Sequence, residues 1–285
     1  MAGITVYLDN TQLSNIKKDS GEKRLDPMSK NVISLACRLK ELCKGQVTAI
    51  LIAQEEDGIY LREALASGCD RAILAQPLQE GTDAGLAAGV GRPAGGKAAR
   101  QAGMDAYLAA ALAAQAGGEI ILMGDRALDG GTSYLGGQVS ELLQIPHVSG
   151  VTDMIRVDGH QVEVRRTGDG TQEEAAVDFP CLLTVGEKEQ KAAPLLVDKI
   201  LQAFGMELRF VPQEEGERLT RGFLRRDTLE GMGSLQVLGR IAVEGDCAGE
   251  IINCIPVLDE AGQVSPYEDA VKVLQQRWKE RGMLP

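Results

Sequence analysis

Residues 119–146 read EIILMGDRALDGGTSYLGGQVSELLQIP, and the order of residue types in this stretch decides the fold. Residues 120–123 are a short apolar run. Residues 124–133 are turn-rich, with three glycines and two aspartates. Leu135, Val139, Leu142 and Leu143 then follow at helical spacing. The sequence predicts a buried strand, a loop and a helix, in that order. In an open parallel sheet, ligands sit beyond the carboxyl ends of strands, where helix N-termini face them. Glycine lets backbone approach a ligand closely, and free amides donate hydrogen bonds to phosphate oxygens. A tight strand-to-helix turn with no ligand would show the same pattern, so this stretch alone leaves both readings open.

The flanking chain repeats the unit. Residues 4–8 (ITVYL) predict a first, central strand. Asp26 and Pro27 mark a helix start, with Asp as N-cap and Pro at the first helical position. Val32, Leu35, Ala36, Leu39 and Leu42 carry that helix to Cys43, with Gly45 as its stop. Residues 47–53 (VTAILIA) are a continuous apolar run and predict a strand buried on both faces. Residues 58–66 predict a short helix closed at Gly68, and residues 71–75 (RAILA) the next strand. A helix over residues 98–116 leads back to the opening stretch. Strand and helix alternating in this way predict an α/β fold with a doubly wound parallel sheet.

Composition narrows the class. The chain has 285 residues, 44% of them hydrophobic but only 4% aromatic, so the core is aliphatic. The net charge of −11 argues against nucleic acid and anionic membrane surfaces as partners. No run approaches the ~20 apolar residues of a membrane span. The start MAGITVYLDN lacks the features of a signal peptide. The six cysteines show no CxxC pair, which predicts reduced thiols and a cytoplasmic location. His147 and His160 have no metal-ligand spacing, so no metal site is expected.

Residues 81–96 contain six glycines and the pattern Gly89-Val90-Gly91-Arg92-Pro93-Ala94, which matches G-x-G-x-x-A. That motif needs a strand before it and a helix opening within it; here the flanks are Gly/Ala coil. A surface loop is the better reading, and it argues against an NAD-dependent dehydrogenase. Beyond Pro146, residues 151–157, 161–166, 171–177 and 181–185 are extended runs. Asp158-Gly159 and Gly168-Asp169-Gly170 separate them, so a small antiparallel region is expected beside the sheet. Residues 193–204 predict a helix. A C-terminal extension, residues 206–285, carries Arg218, Arg221, Arg225 and Arg226. It ends in a helix capped by Ser265-Pro266-Tyr267-Glu268, with Val271, Leu274 and Trp278 on one face. Packing on its own domain and docking on a partner both account for that face.

Four motifs in register resemble the beta subunit of electron transfer flavoproteins. They are Leu25-Asp26-Pro27 with Arg38-Leu39-Lys40-Glu41; the run from Ala64 through Gly68-Cys69-Asp70-Arg71 to Leu74; Gly124-Asp125-Arg126-Ala127-Leu128-Asp129; and Phe179-Pro180-Cys181-Leu182-Leu183-Thr184. The resemblance covers residues 4–205, a nucleotide-binding domain. It implies a heterodimer with an alpha-type subunit, exchange of electrons with a dehydrogenase or other redox partner, and AMP or FAD as the bound cofactor. By position the adenylate meets Tyr7, Leu8, Asp9, Asp26, Ala53, Gly124, Asp129, Gly130, Gly131, Thr132, Ser133, Tyr134 and Leu135. No nucleophile or acid–base pair stands out, so an electron carrier is expected rather than a stand-alone enzyme.

The departures matter too. The family has Asn where Asp26 stands, Asp where Gly131 stands and Gln where Tyr134 stands. An Asp beside a phosphate repels it, whereas Tyr134 offers a ring for stacking. Glu187 replaces an apolar partner anchor, which points away from the usual acyl-CoA dehydrogenase surface. A non-redox nucleotide-binding or scaffold subunit that kept the fold is the alternative.

Overall fold

A computed structural model describes residues 2–8, 24–78, 97–125, 134–168, 171–186, 195–224 and 235–242. The chain forms two compact units, Met1–Gly245 and Asp246–Pro285. The second unit, with the helix expected after Ser265, lies outside the described residues, as does the glycine-rich segment 81–96.

Within the first unit, β1 (Gly3–Leu8), β2 (Gln46–Ile52), β3 (Arg71–Ala75) and β4 (Ile120–Gly124) are apolar runs, and they pair in parallel. The helices between them are α1 (Pro27–Cys43), α2 (Gly58–Ala66) and α3 (Lys97–Ala116). Helix α4 (Tyr134–Leu143) follows β4. Strand residues alternate between two cores. Ile4, Val6, Leu8, Val47 and Leu51 face α1 and α2. Tyr7, Ile50, Ile52, Ile121 and Met123 face α3 and α4. A sheet covered on both faces explains why these strands read as unbroken apolar runs rather than as alternating ones.

Helix α1 starts as expected. The Asp26 carboxylate accepts from the Ser29 amide at 2.9 Å and from the Ser29 hydroxyl, and Pro27 opens the first turn. Its end differs: Lys44, at φ 55°, takes the left-handed cap that the sequence suggested for Gly45. Gly68 closes α2 at φ +123°, and a Cβ there would lie 2.8 Å from Cys37 Sγ, so glycine lets α2 end against α1.

The sheet order is β10-β7-β6-β5-β8-β4-β1-β2-β3-β9. β5 (His147–Asp158), β6 (Gln161–Gly168) and β7 (Thr171–Asp178) form the expected antiparallel hairpins, and β10 (Leu235–Ala242) adds to β7. β8 (Cys181–Val185) corrects the expectation: it leaves the hairpin series and lies parallel between β4 and β5. All five of its residues are buried, as a central parallel strand requires.

The helix expected over 193–204 starts later, as α5 (Val197–Gly205). The chain does not leave the sheet at residue 205, where the extension was expected to begin. β9 (Leu208–Val211) pairs with β3, and α6 (Gln213–Leu224) follows it onto the face covered by α3, where Leu219 and Phe223 pack. Among the described residues no helix is long and apolar enough to cross a membrane.

Candidate functional site

β1 lies between β2 and β4. The chain moves outward from β1 to β2 and β3, then returns through α3 to β4 on the other side of β1. The gap at the carboxyl ends of β1 and β4 is therefore where the winding reverses, the place where open α/β sheets bind ligands.

Several expected site residues meet at this rim. Tyr7 and Leu8 end β1 and are buried, Tyr7 toward α3 and α4 and Leu8 toward α1. Ala53 follows β2, is buried, and donates its amide to the Ala75 carbonyl at 2.9 Å. Gly124 ends β4, half-exposed. Tyr134 is the first residue of α4, and Leu135 packs into the core beneath it. Asp26 is fully buried, and its carboxylate is turned onto the first turn of α1. It is spent on its own helix and does not point a charge across the rim. Asp9 and the run Asp129, Gly130, Gly131, Thr132, Ser133 lie outside the described residues.

The structure adds three residues that the sequence did not single out as site residues. Asp125 directly follows β4, with its amide on the Val185 carbonyl at 2.9 Å. The Thr184 hydroxyl donates to Asp125 Oδ1 at 3.1 Å. His147 Nε2 lies 3.1 Å from the same hydroxyl oxygen. Since Thr184 spends its proton on Asp125, it accepts from His147, which fixes the imidazole proton on Nε2. Burial, with a smaller contribution from Arg166, lowers the His147 pKa from its ordinary 6.5, although Asp125 pulls the other way. The imidazole is therefore a neutral donor at neutral pH. The result is a directed chain, His147 to Thr184 to Asp125, that holds one carboxylate at the mouth of the gap.

Helix α4 rests on this chain. A Cβ on Gly136 would lie 2.4 Å from Thr184 Cγ2 and 3.5 Å from His147 Nε2. Glycine lets the amino end of α4 come down onto β8 at this point. The first turn of α4 holds no acidic residue, so no carboxylate there opposes an anion at the positive end of the helix dipole.

Two of the four motifs do structural work at the opposite rim. Lys40 Nζ meets Asp70 Oδ1 at 2.5 Å and the Gly68 carbonyl at 3.2 Å, while Asp70 Oδ2 accepts from the Val47 amide at 2.8 Å. This lock joins the end of α1 to the starts of β2 and β3. Burial pushes the Cys69 and Cys181 thiols up, so neither is a nucleophile at neutral pH.

A doubly wound α/β protein whose winding reverses beside a glycine-rich strand-to-helix turn belongs to a broad class of Rossmann-like folds. The comparisons with known proteins narrow it. The family described as the electron transfer flavoprotein domain matches residues 15–91 and 94–203, more than half of the chain, and the chain belongs to that family. It is 32% identical over 160 residues to the electron transfer flavoprotein subunit beta of Thermoanaerobacterium thermosaccharolyticum, covering 56% of this chain and 55% of that one. It is 28% identical over 173 residues to the subunit beta of Bacillus subtilis, covering 61% of each. It is 28% identical over 187 residues, 63% of each chain, to the caffeyl-CoA reductase-Etf complex subunit CarD of Acetobacterium woodii. The matched region thus spans less than two thirds of these relatives. The chain is of the beta type within the family.

Proposed function

We propose that this chain holds an adenine nucleotide, AMP or the adenylate part of FAD, across the carboxyl ends of β1, β2 and β4. With an alpha-type subunit as its heterodimer partner, it carries electrons between a dehydrogenase and an acceptor. The observation that carries this reading is the seat of α4: its amino end is pressed onto the rim where the winding reverses, with no acidic residue in its first turn.

The residues present fit the group. Tyr7, Leu8, Ala53 and Gly124 bring backbone to the ends of β1, β2 and β4, and the small side chains at Ala53 and Gly124 allow close approach there. Asp129, Gly130, Gly131, Thr132, Ser133 and Tyr134 lead into α4, on the side where the phosphate is best placed. Asp125 repels a phosphate but accepts hydrogen bonds from hydroxyl or amino groups, so the nucleotide lies with its sugar or base toward Asp125. Asp26 shapes the rim through its cap, and Asp9 follows β1 in the sequence. A bound flavin would supply the redox chemistry; the chain's own residues bind and orient it. The C-terminal extension, residues 206–285 with Trp278, is our candidate arm for the alpha-type subunit.

The test is direct. Denature the purified chain and analyse the supernatant for AMP, ADP and FAD, then titrate each into stripped protein by calorimetry. A nucleotide-free preparation that binds none of the three sinks the proposal. A visible spectrum of the chain purified with its alpha-type partner separates the redox reading from a scaffold that kept the fold, because only the former shows flavin bands.

A further inference from the structure

Asp125 is fixed more firmly than a turn after a strand requires. Its amide donates to the Val185 carbonyl at 2.9 Å, directly beyond the Gly124–Val185 pair that ends the β4–β8 ladder. Its carboxylate accepts from the buried Thr184 at 3.1 Å, and Thr184 is held in turn by His147 of β5. β4, β5 and β8 all contribute to the placing of this one side chain. Among the described residues Thr184 is its only side-chain partner. The cation that bears on His147 is Arg166, which is paired with the buried Glu173 at 3.6 Å. The Asp125 charge is held in place without being neutralised, and Oδ2 keeps its lone pairs for another donor.

The same threonine ties Asp125 to the start of α4. Gly136, in the first turn of that helix, sits against Thr184 Cγ2, 2.4 Å from where its own Cβ would stand. The other branch of that side chain, Oγ1, is the one bonded to Asp125. One side chain spans the helix start and the carboxylate. A phosphate is best placed at a helix amino end, and Asp125 repels it from its own position. In a nucleoside 5′-phosphate the sugar lies next to the phosphate and the base lies beyond the sugar. A carboxylate this close to the helix start meets the ribose, whose hydroxyls are donors, before it meets the amino group of the base.

Resting on the nucleotide reading above, we infer that Asp125 is the residue that reads the sugar: it accepts from the ribose hydroxyls of the adenylate and admits only nucleotides whose ribose is unmodified. Thr184 and His147 are positioning residues for it. A 2′- or 3′-phosphate, as on the nucleotide ends of NADP and coenzyme A, brings a second anion against an unneutralised carboxylate. A deoxyribose leaves the carboxylate without its charge-assisted hydrogen bond. A site built around a hydroxyl rejects the analogue that lacks it. AMP, ADP and FAD carry the free diol and are accepted.

The probes are AMP, 2′,3′-dideoxy-AMP and adenosine 3′,5′-bisphosphate, each titrated by calorimetry into the full chain stripped of nucleotide. AMP should bind about tenfold or more tightly than either of the others, although the bisphosphate carries the greater charge. Asp125→Asn keeps the shape and an oxygen for Thr184 but removes the charge. It should shrink both ratios to about threefold or less, because the like-charge penalty and the charge-assisted bond both disappear. Thr184→Val should shrink them as well, and Thr184→Ser, which keeps the hydroxyl, should restore the discrimination that Thr184→Val loses. A chain weakened only in its fold would lose affinity for all three probes alike. Equal affinity for the three, a bisphosphate that binds more tightly than AMP, or ratios untouched by Asp125→Asn overturns the inference while the nucleotide reading stands. No binding of AMP also overturns it, and the nucleotide reading falls with it only if ADP and FAD fail to bind too.

Discussion

The two rims of the central strands are held by different chemistry. At the amino ends, a carboxylate meets a cation: Asp70 takes Lys40 and the Val47 amide, and its charge is used up inside the fold. At the carboxyl ends, a carboxylate is held by neutral donors: Asp125 takes the Thr184 hydroxyl, which takes His147. An ion pair neutralises and locks; a hydroxyl positions a carboxylate without cancelling its charge. The first rim is built to join helices to strands. The second keeps a charge available where a ligand would arrive.

Breaking the seat of α4 should have the largest effect. Gly136→Val places branched carbons where a single Cβ already lies 2.4 Å from Thr184 Cγ2. Overpacking of this kind costs about 1–3 kcal/mol. Denaturant unfolding should report a loss in the upper part of that range, and calorimetry a loss of nucleotide affinity, because the amino end of α4 is lifted from the rim.

Asp70→Ala should come next and separate the rims. It leaves the Val47 amide without its side-chain acceptor and Lys40 without its partner, a cost of about 1–2 kcal/mol. Nucleotide affinity should stay within twofold of the parent. A large fall in affinity at unchanged stability would show that the amino rim also serves the site.

Thr184→Val conserves shape but removes both hydrogen bonds of the chain to Asp125. Its cost in unfolding free energy should be about 1 kcal/mol. The sharper readout is ligand discrimination: affinity for adenosine should fall more than affinity for the phosphate-bearing AMP, because Asp125 loses its orientation toward hydroxyl and amino groups. Equal losses would remove Asp125 from the site.

The smallest effect is a pH dependence. The folded pKa of His147 lies below its ordinary 6.5. Above 6.5 the imidazole is neutral folded and unfolded, and its contribution to stability is complete. As pH falls below 6.5 the unfolded chain takes the proton first, so stability is lost until pH has passed through the lower folded value. His147→Gln should show a shallower fall in stability than the parent across that window, in urea titrations at stepped pH. Parallel curves would place the proton elsewhere.

Much of the fold was legible in the residues. Caps and apolar runs located α1, α2 and β1 to β4 because each is decided locally, by Asp26-Pro27 or by an unbroken run such as VTAILIA. β8 was assigned to the hairpins because it follows them closely. Its signal was present, since CLLTV is an unbroken apolar run apart from one Thr, whereas β5 to β7 each carry charged residues. β9 was missed because LRFV is short and stands among polar residues. The carboxyl rim was only half legible. Glycines pointed to the strand-to-helix turn, but Asp125, His147 and Thr184 lie 22 to 59 residues apart in sequence, and only the insertion of β8 between β4 and β5 sets them side by side. Asp26 was read as a candidate for ligand contact, whereas its burial and its bonds to Ser29 give it to the helix.

The position of β8 also constrains the order of assembly. β4 and β5 follow one another in sequence, joined only through α4, yet they cannot settle side by side: the chain must reserve a slot one strand wide, about 10 Å between their axes, until residues 181–185 come back to fill it. β5, β6 and β7 are joined by short turns and can zip locally, at little cost in loop closure. β8 enters between two banks of the sheet, and its pairing with β4 joins residues 61 apart in sequence, Ile120 and Cys181. Contacts of that range are the slow ones in folding. The hydrogen-bonded chain from His147 to Asp125 is then among the last things to form, and the ligand rim matures only when the sheet is complete.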